Sequence, residues 1–136
     1  MTLTDPATAP LLLTDADIAE RVEDIVGAAL VRRLWLLLVD GDRRQTPVVL
    51  PIADPPRRPD HATVDGLAAV LAQVRPDLAT AAGPGSVVLV LERPGSAVPD
   101  RDDWAWTRAL LDACGRSATT VLGVFLSTSR GVQRLE

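Results

Sequence analysis

The sequence predicts a three-layer α/β domain in the order α-β-β-α-β-α-β, a four-stranded mixed sheet with helices on both faces. Three observations carry this expectation. Apolar residues recur at three- and four-residue spacing in three segments that open on capping residues, as in helices with one buried stripe. Four short apolar runs of strand length lie between them, the first two separated only by turn residues and the others by a helix each. Hydrophobic residues make up 47% of 136 positions, enough for a core without disulfides or metal.

Residues 1–12 contain two prolines and little periodicity, so they read as a loose arm, with one domain from 13 to 136. Thr14-Asp15-Ala16-Asp17 resembles a capping box with Asp in place of Glu, and Leu13 with Ile18 is placed to form the hydrophobic staple. The helix that follows aligns Ile18, Val22, Ile25, Val26, Ala29 and Leu30, with Glu20, Arg21, Glu23 and Asp24 largely opposite. Leu34 to Val39, the turn Asp40-Gly41-Asp42 and Thr46 to Ile52 read as a β-hairpin. Three prolines then make residues 54–59 a loop. Asp60 or Thr63 caps a second helix with Val64, Leu67, Ala68, Leu71 and Val74 on one face, ending before Pro76.

Ser86 to Glu92 has five consecutive apolar residues, as expected for a strand covered on both faces. Asp100 caps a third helix to about Arg116, with Asp102 and Asp103 in the first turn, where the dipole favours negative charge. Thr119 to Ser127 is the last strand, followed by a short tail. With both βαβ steps right-handed crossovers, the last three strands run parallel and the first antiparallel to them.

Several chemistries lack their residues. There is one histidine, His61, and one cysteine, Cys114, too few for a zinc centre built on His and Cys and for a disulfide. They fall at the start of one helix and near the end of another, where a polar helix-start residue and a small buried hydrophobe are the plain readings. A nucleoside deaminase would need His-x-Glu and Pro-Cys-x-x-Cys, and neither occurs. Gly83-Pro84-Gly85-Ser86 precedes a strand, whereas phosphate loops follow one, so it reads as a turn. No serine sits on a nucleophile elbow.

Charge sets further limits. The net charge is −4, with six acids and one arginine in residues 1–31 against twelve acids and thirteen arginines after them. Every basic residue is arginine, a bias of GC-rich coding. Arg43/Arg44 and Arg57/Arg58 lie among aspartates, so nucleic acid is not an expected partner. No apolar run approaches the roughly 20 residues of a membrane span, and with no charged-then-apolar start the expected location is cytoplasmic.

The informative stretch is residues 91–107, because open α/β sheets place their sites beyond the carboxyl ends of parallel strands. It reads Leu91-Glu92-Arg93-Pro94-Gly95-Ser96-Ala97-Val98-Pro99-Asp100-Arg101-Asp102-Asp103-Trp104-Ala105-Trp106-Thr107. This resembles the JAB, or MPN-type, metal-dependent peptidases in their bacterial RadC-like branch, which carry His-x-His-Pro-Ser-Gly at this strand end and Pro-Ser-x-x-Asp-x-x-x-Thr opening the next helix. In that pattern both histidines and the aspartate bind zinc. Pro94 matches the first proline, Pro99 the second, Asp103 the ligand aspartate and Thr107 the threonine, while the histidine positions fall on Leu91 and Arg93.

Those two departures set the functional expectation. Leucine cannot ligate, and a permanently charged guanidinium repels a divalent cation. The family also uses a glutamate near its first strand, and Arg32-Arg33-Leu34-Trp35 offers no acid. The resemblance therefore implies a JAB-like pseudoenzyme with no metal and no cofactor, acting as a protein-interaction or scaffold module, alone or as a homodimer. A metal-free enzyme or small-ligand binder using Glu92, Arg93, Asp100, Asp102 and Asp103 is the rival. Arg93 and Asp103 either pair where the metal sat, or Arg93 is solvated and Asp103 merely serves the helix dipole. Trp104 and Trp106, two residues apart, point to different sides of their helix, leaving room for one to be exposed.

Overall fold

The computed structural model describes residues 11–136. Its elements are α1 (Asp15–Ile25), β1 (Arg33–Val39), β2 (Gln45–Ala53), α2 (His61–Leu78), β3 (Ser86–Glu92), α3 (Arg101–Arg116), β4 (Thr120–Thr128) and β5 (Gly131–Arg134). The mixed α/β, three-layer expectation holds. The sheet, however, has five strands in the order β2-β1-β3-β4-β5 rather than four. The segment read as a tail turns at Gly131 (φ 115°) and pairs antiparallel with β4, Phe125 opposite Arg134 and Thr128 opposite Gly131. Four residues, three half-buried and the last exposed, are too short a run to show a strand period.

Strand directions are as expected, and the sheet order adds what the sequence left open. β1 pairs antiparallel with both β2 and β3, so it lies between them, and only β3 and β4 are parallel neighbours. The greasier strand takes the interior: β1 is almost wholly buried, while β2 carries Pro47 and Pro51, which lack ladder donors and suit an edge.

Side-chain alternation divides the core in two. Leu34, Leu36 and Leu38 of β1, Val87, Leu89 and Leu91 of β3, and Val124 and Leu126 of β4 pack under α2 and α3. Leu37, Val39, Val88, Val90 and Phe125 face the other way, onto Ile18 and Val22 of α1. Full burial of each such side chain contributes about 1.5–3 kcal/mol. This parity places Glu92 on the α1 face and Arg93, one step on, at the α2/α3 side.

The caps follow the sequence. Thr14 and Asp17 form the capping box of α1, Asp60 accepts from the Thr63 amide, and Asp100 with Asp103 forms the box of α3. Three details differ. Leu13 is exposed and Leu12, assigned to the arm, is instead 1% exposed in the α1 core, its amide bonded to Arg43 O at 2.7 Å. Leu11, also assigned to the arm, forms an antiparallel bridge with Arg44, and residues 1–10 lie outside the described residues. α1 stops at Ile25 because Gly27 (φ 62°) turns the chain, leaving Ala29 buried and Leu30 exposed beyond the helix. α2 runs through Pro76 to Leu78, since a proline in the last turn forfeits a single amide while Leu78 gains a core position.

Gly83-Pro84-Gly85 is a turn. The amide of Gly41, in the β1–β2 hairpin, donates to Leu78 O at 3.0 Å, and a Cβ on Gly41 would run into the Gly83 carbonyl. These glycines let the two turns touch, not a phosphate approach.

Candidate functional site

At the end of β3 the chain carries three successive side chains in three environments. Leu91 is 5% exposed and belongs to the core under α2 and α3. Glu92 is 3% exposed and faces α1. Its Oε1 accepts from Arg33 Nε at 3.0 Å and Trp35 Nε1 at 2.9 Å, and its Oε2 from the Leu30 amide at 3.2 Å. The Arg33 guanidinium also lies 5.1 Å from the Trp35 ring centre. The carboxylate thus ties the α1–β1 connection and β1 to β3 and bonds to neither Arg93 nor Asp103, although Glu92 borders the same small crevice as both.

Arg93 turns toward α3. Its Nε lies 3.0 and 3.1 Å from the Asp103 oxygens and its Nη2 2.7 Å from Oδ2. The remaining donors reach the loop: Nη1 to Ser96 O at 2.9 Å and Nη2 to Val98 O at 3.1 Å. The Arg93–Asp103 pair is therefore formed, and a solvated Arg93 is not what the chain adopts. Side-chain exposures of 12% and 6% take it out of the surface class, where ion pairs contribute little. The hydrogen bonds with Asp103 raise the guanidinium pKa further, against the effect of burial.

Asp103 is held from its own helix as well. Its Oδ2 accepts the Asp100 amide at 2.8 Å, and its amide donates to Asp100 Oδ1 at 2.8 Å. Burial alone would raise the Asp100 pKa, but the amides of Asp103 and Asp102 and the charge of Arg93 bring it below the usual range. Thr107 is buried and donates to Asp103 O at 2.9 Å, one turn back in the helix. Pro94 and Pro99 bracket the loop that Arg93 clamps, and Gly95 (φ 113°) donates to Ser129 Oγ at 2.8 Å. Of the positions singled out from the sequence, Leu91, Arg93, Asp103 and Thr107 come together. Glu92 borders the same crevice but gives its carboxylate to Arg33, Trp35 and Leu30 instead.

A zinc ion does not fit these residues. Leu91 has no donor atom, Arg93 donates only, and the Asp103 oxygens are taken by Arg93 and the Asp100 amide. Among the described residues no three His, Cys, Asp or Glu side chains are grouped to hold a metal. His61 is exposed at the first position of α2, while Cys114 is buried in α3, its thiol pushed up to about 11 by burial. The crevice between Leu91, Arg93, Asp103 and Trp106 has a volume of about 10 Å³, room for a water at most.

Beside it lies an open depression of about 460 Å³ bordered by Arg32, Arg57, Arg93, Pro94, Val98 and Asp100. The proline-rich loop forms its rim. Arg32 donates to the carbonyls of Pro55, Pro56 and Arg57 at 3.2, 3.4 and 3.1 Å. Trp106, 2% exposed, donates its indole N–H to Pro56 O at 3.0 Å and Arg57 O at 3.1 Å. Trp104 is 40% exposed, so the two tryptophans do divide between surface and core.

Sequence reasoning missed this loop clamp and the Glu92 hub, because both join residues more than twenty positions apart with no local motif. The pairing of Arg33 with Glu92 had one usable signal, a charge at each of two strand ends otherwise made of apolar residues. No protein-family profile, no curated protein and no solved structure matches the chain, so its assignment rests on the residues described above.

Proposed function

We propose that the chain is a non-catalytic protein-interaction or scaffold module, resembling a JAB-type domain whose metal position is taken over by an ion pair. The observation that carries this is the saturation of the strand-end site: every nitrogen of Arg93 donates and both oxygens of Asp103 accept within the chain. A reacting carboxylate needs to be able to take up a proton, and here Oδ2 already accepts three donors while Oδ1 is held by the same guanidinium, which favours the bound ionised form. Against the metal-free enzyme reading stands the Glu92 carboxylate, which is committed to Arg33, Trp35 and the Leu30 amide. The net charge of −4 supports a protein rather than a nucleic-acid partner. Among the described residues no helix is long and apolar enough to cross a membrane.

Elemental analysis of the chain purified without chelator tests this reading, with no stoichiometric zinc expected. One zinc per chain, or peptide hydrolysis that follows the zinc content, would overturn it. Affinity capture with the wild type and with Trp104→Ala then asks whether a specific partner depends on the exposed face of α3.

A further inference from the structure

Positive charge without a carboxylate partner collects at the open depression. Arg32 and Arg57 both border it, and neither forms an ion pair among the described residues. Arg32 uses Nε and Nη2 on three carbonyls of the 55–57 loop, so its guanidinium is fixed before any ligand arrives while Nη1 stays open. Arg57 has its carbonyl held by Arg32 and Trp106, which anchors its backbone and leaves its side chain exposed. Asp100, held ionised by its lowered pKa, and Asp102, which lies 3.5 Å from Arg58, border the same depression. Val98, 73% exposed, adds an apolar side chain to its lining.

We propose that this depression docks a short acidic segment of a protein partner, deepening the interaction-module reading on which it rests. The arrangement reads out a pattern. A carboxylate pairs with Arg32 and Arg57, an apolar neighbour covers Val98 and Pro94, and a second acid in the segment is repelled by Asp100 and Asp102. The openness of the depression selects a chain segment over a free small molecule, because small-ligand pockets bury most of their ligand's surface.

The test follows the amide of Gly95 and the Arg Nε–H signals by NMR in the full chain at low salt, with blocked peptides as probes. A Glu-Leu-Gly-Lys peptide is expected to bind about tenfold or more tightly than its Gln-Leu-Gly-Lys twin and than free glutarate, a difference of about 1.4 kcal/mol. Arg57→Glu, at an exposed side chain with no hydrogen bond or ion pair among the described residues, is expected to leave the spectrum otherwise native and to weaken the peptide by a similar factor or more. Equal binding of the two peptides, indifference to Arg57→Glu, or no binding by the glutamate peptide overturns the proposal. Equal binding of glutarate and peptide overturns the protein segment in favour of a small anion. Zinc in the purified chain would remove the non-catalytic reading without touching the peptide result, whereas peptide failure in a zinc-free chain removes only this docking site.

Discussion

Trp35 and Glu92, 57 positions apart in sequence, meet at 2.9 Å where β1 and β3 end side by side on the α1 face, the indole N–H donating to Oε1. Arg33 donates to the same oxygen, and the Leu30 amide to the other. Every partner is a donor, so the position requires an acceptor on both oxygens. Glu92→Gln puts an NH2 group against one set of donors and is expected to cost about 2 kcal/mol in urea unfolding. Because Trp35 reports directly, its fluorescence should shift to the red before global unfolding. A variant with wild-type stability and emission would show that the hub contributes nothing.

The Arg93–Asp103 pair should behave as a buried unit. Arg93→Ala strands a carboxylate that is 4% exposed and frees the 94–99 loop, and an expected cost of about 3 kcal/mol follows from leaving a buried charge alone. Arg93→Met with Asp103→Leu removes both charges and should cost less than the sum of the single changes. A double-mutant cycle from chemical denaturation measures this, and strict additivity would place the pair among weak surface contacts.

The sequence made the helices legible because their ends are written locally: Thr14, Asp60 and Asp100 each cap the helix they precede. It also gave β1 and β3, whose runs of Leu and Val admit no exposed reading. What escaped was set by distance or by shortness. The insertion of β1 between β2 and β3 depends on which strand buries more surface, a comparison across the whole sheet. β5 is four residues at an edge. In the candidate site, Arg93 and Asp103 were legible as a pair because they flank one loop. Glu92 borders the same crevice, but strand parity, which sends consecutive side chains to opposite faces, turns its carboxylate to partners that no local motif announces.

Acid should loosen the helix starts first. Hydrogen bonds from the Thr14 amide lower the Asp17 pKa, bonds from Thr63 lower that of Asp60, and Asp100 lies below its ordinary value despite its burial. A folded-state pKa below the unfolded one gives stability that is present above the unfolded value, about 4, and is lost as pH falls through the lower folded value. Stability is therefore expected to be level from neutral pH to about 5 and to fall below about 4. Asp60→Asn and Asp100→Asn keep a capping oxygen without the charge and should flatten that fall, as followed by helical circular dichroism. An unchanged acid profile in the double variant would assign the loss to other carboxylates.

The strand-end geometry predicts that a metal site can be rebuilt. Leu91 and Arg93, two residues apart at the end of β3, border the same crevice as Asp103 in the first turn of α3. Replacing both with histidine would supply two imidazoles and a carboxylate, now released from its guanidinium, with a fourth position for water. Leu91→His with Arg93→His is thus expected to take up one zinc per chain and to gain thermal stability on zinc addition, as linkage requires of a ligand that binds only the folded state. The wild type should show no such gain, and adding Asp103→Asn to the double variant should weaken uptake. The loss of apolar packing at Leu91 lowers the starting stability, which makes the zinc-dependent rise the decisive readout. A folded double variant that ignores zinc would count against the resemblance to a metal-dependent peptidase and leave the Arg93–Asp103 pair as a link between strand and helix with no metal in its history.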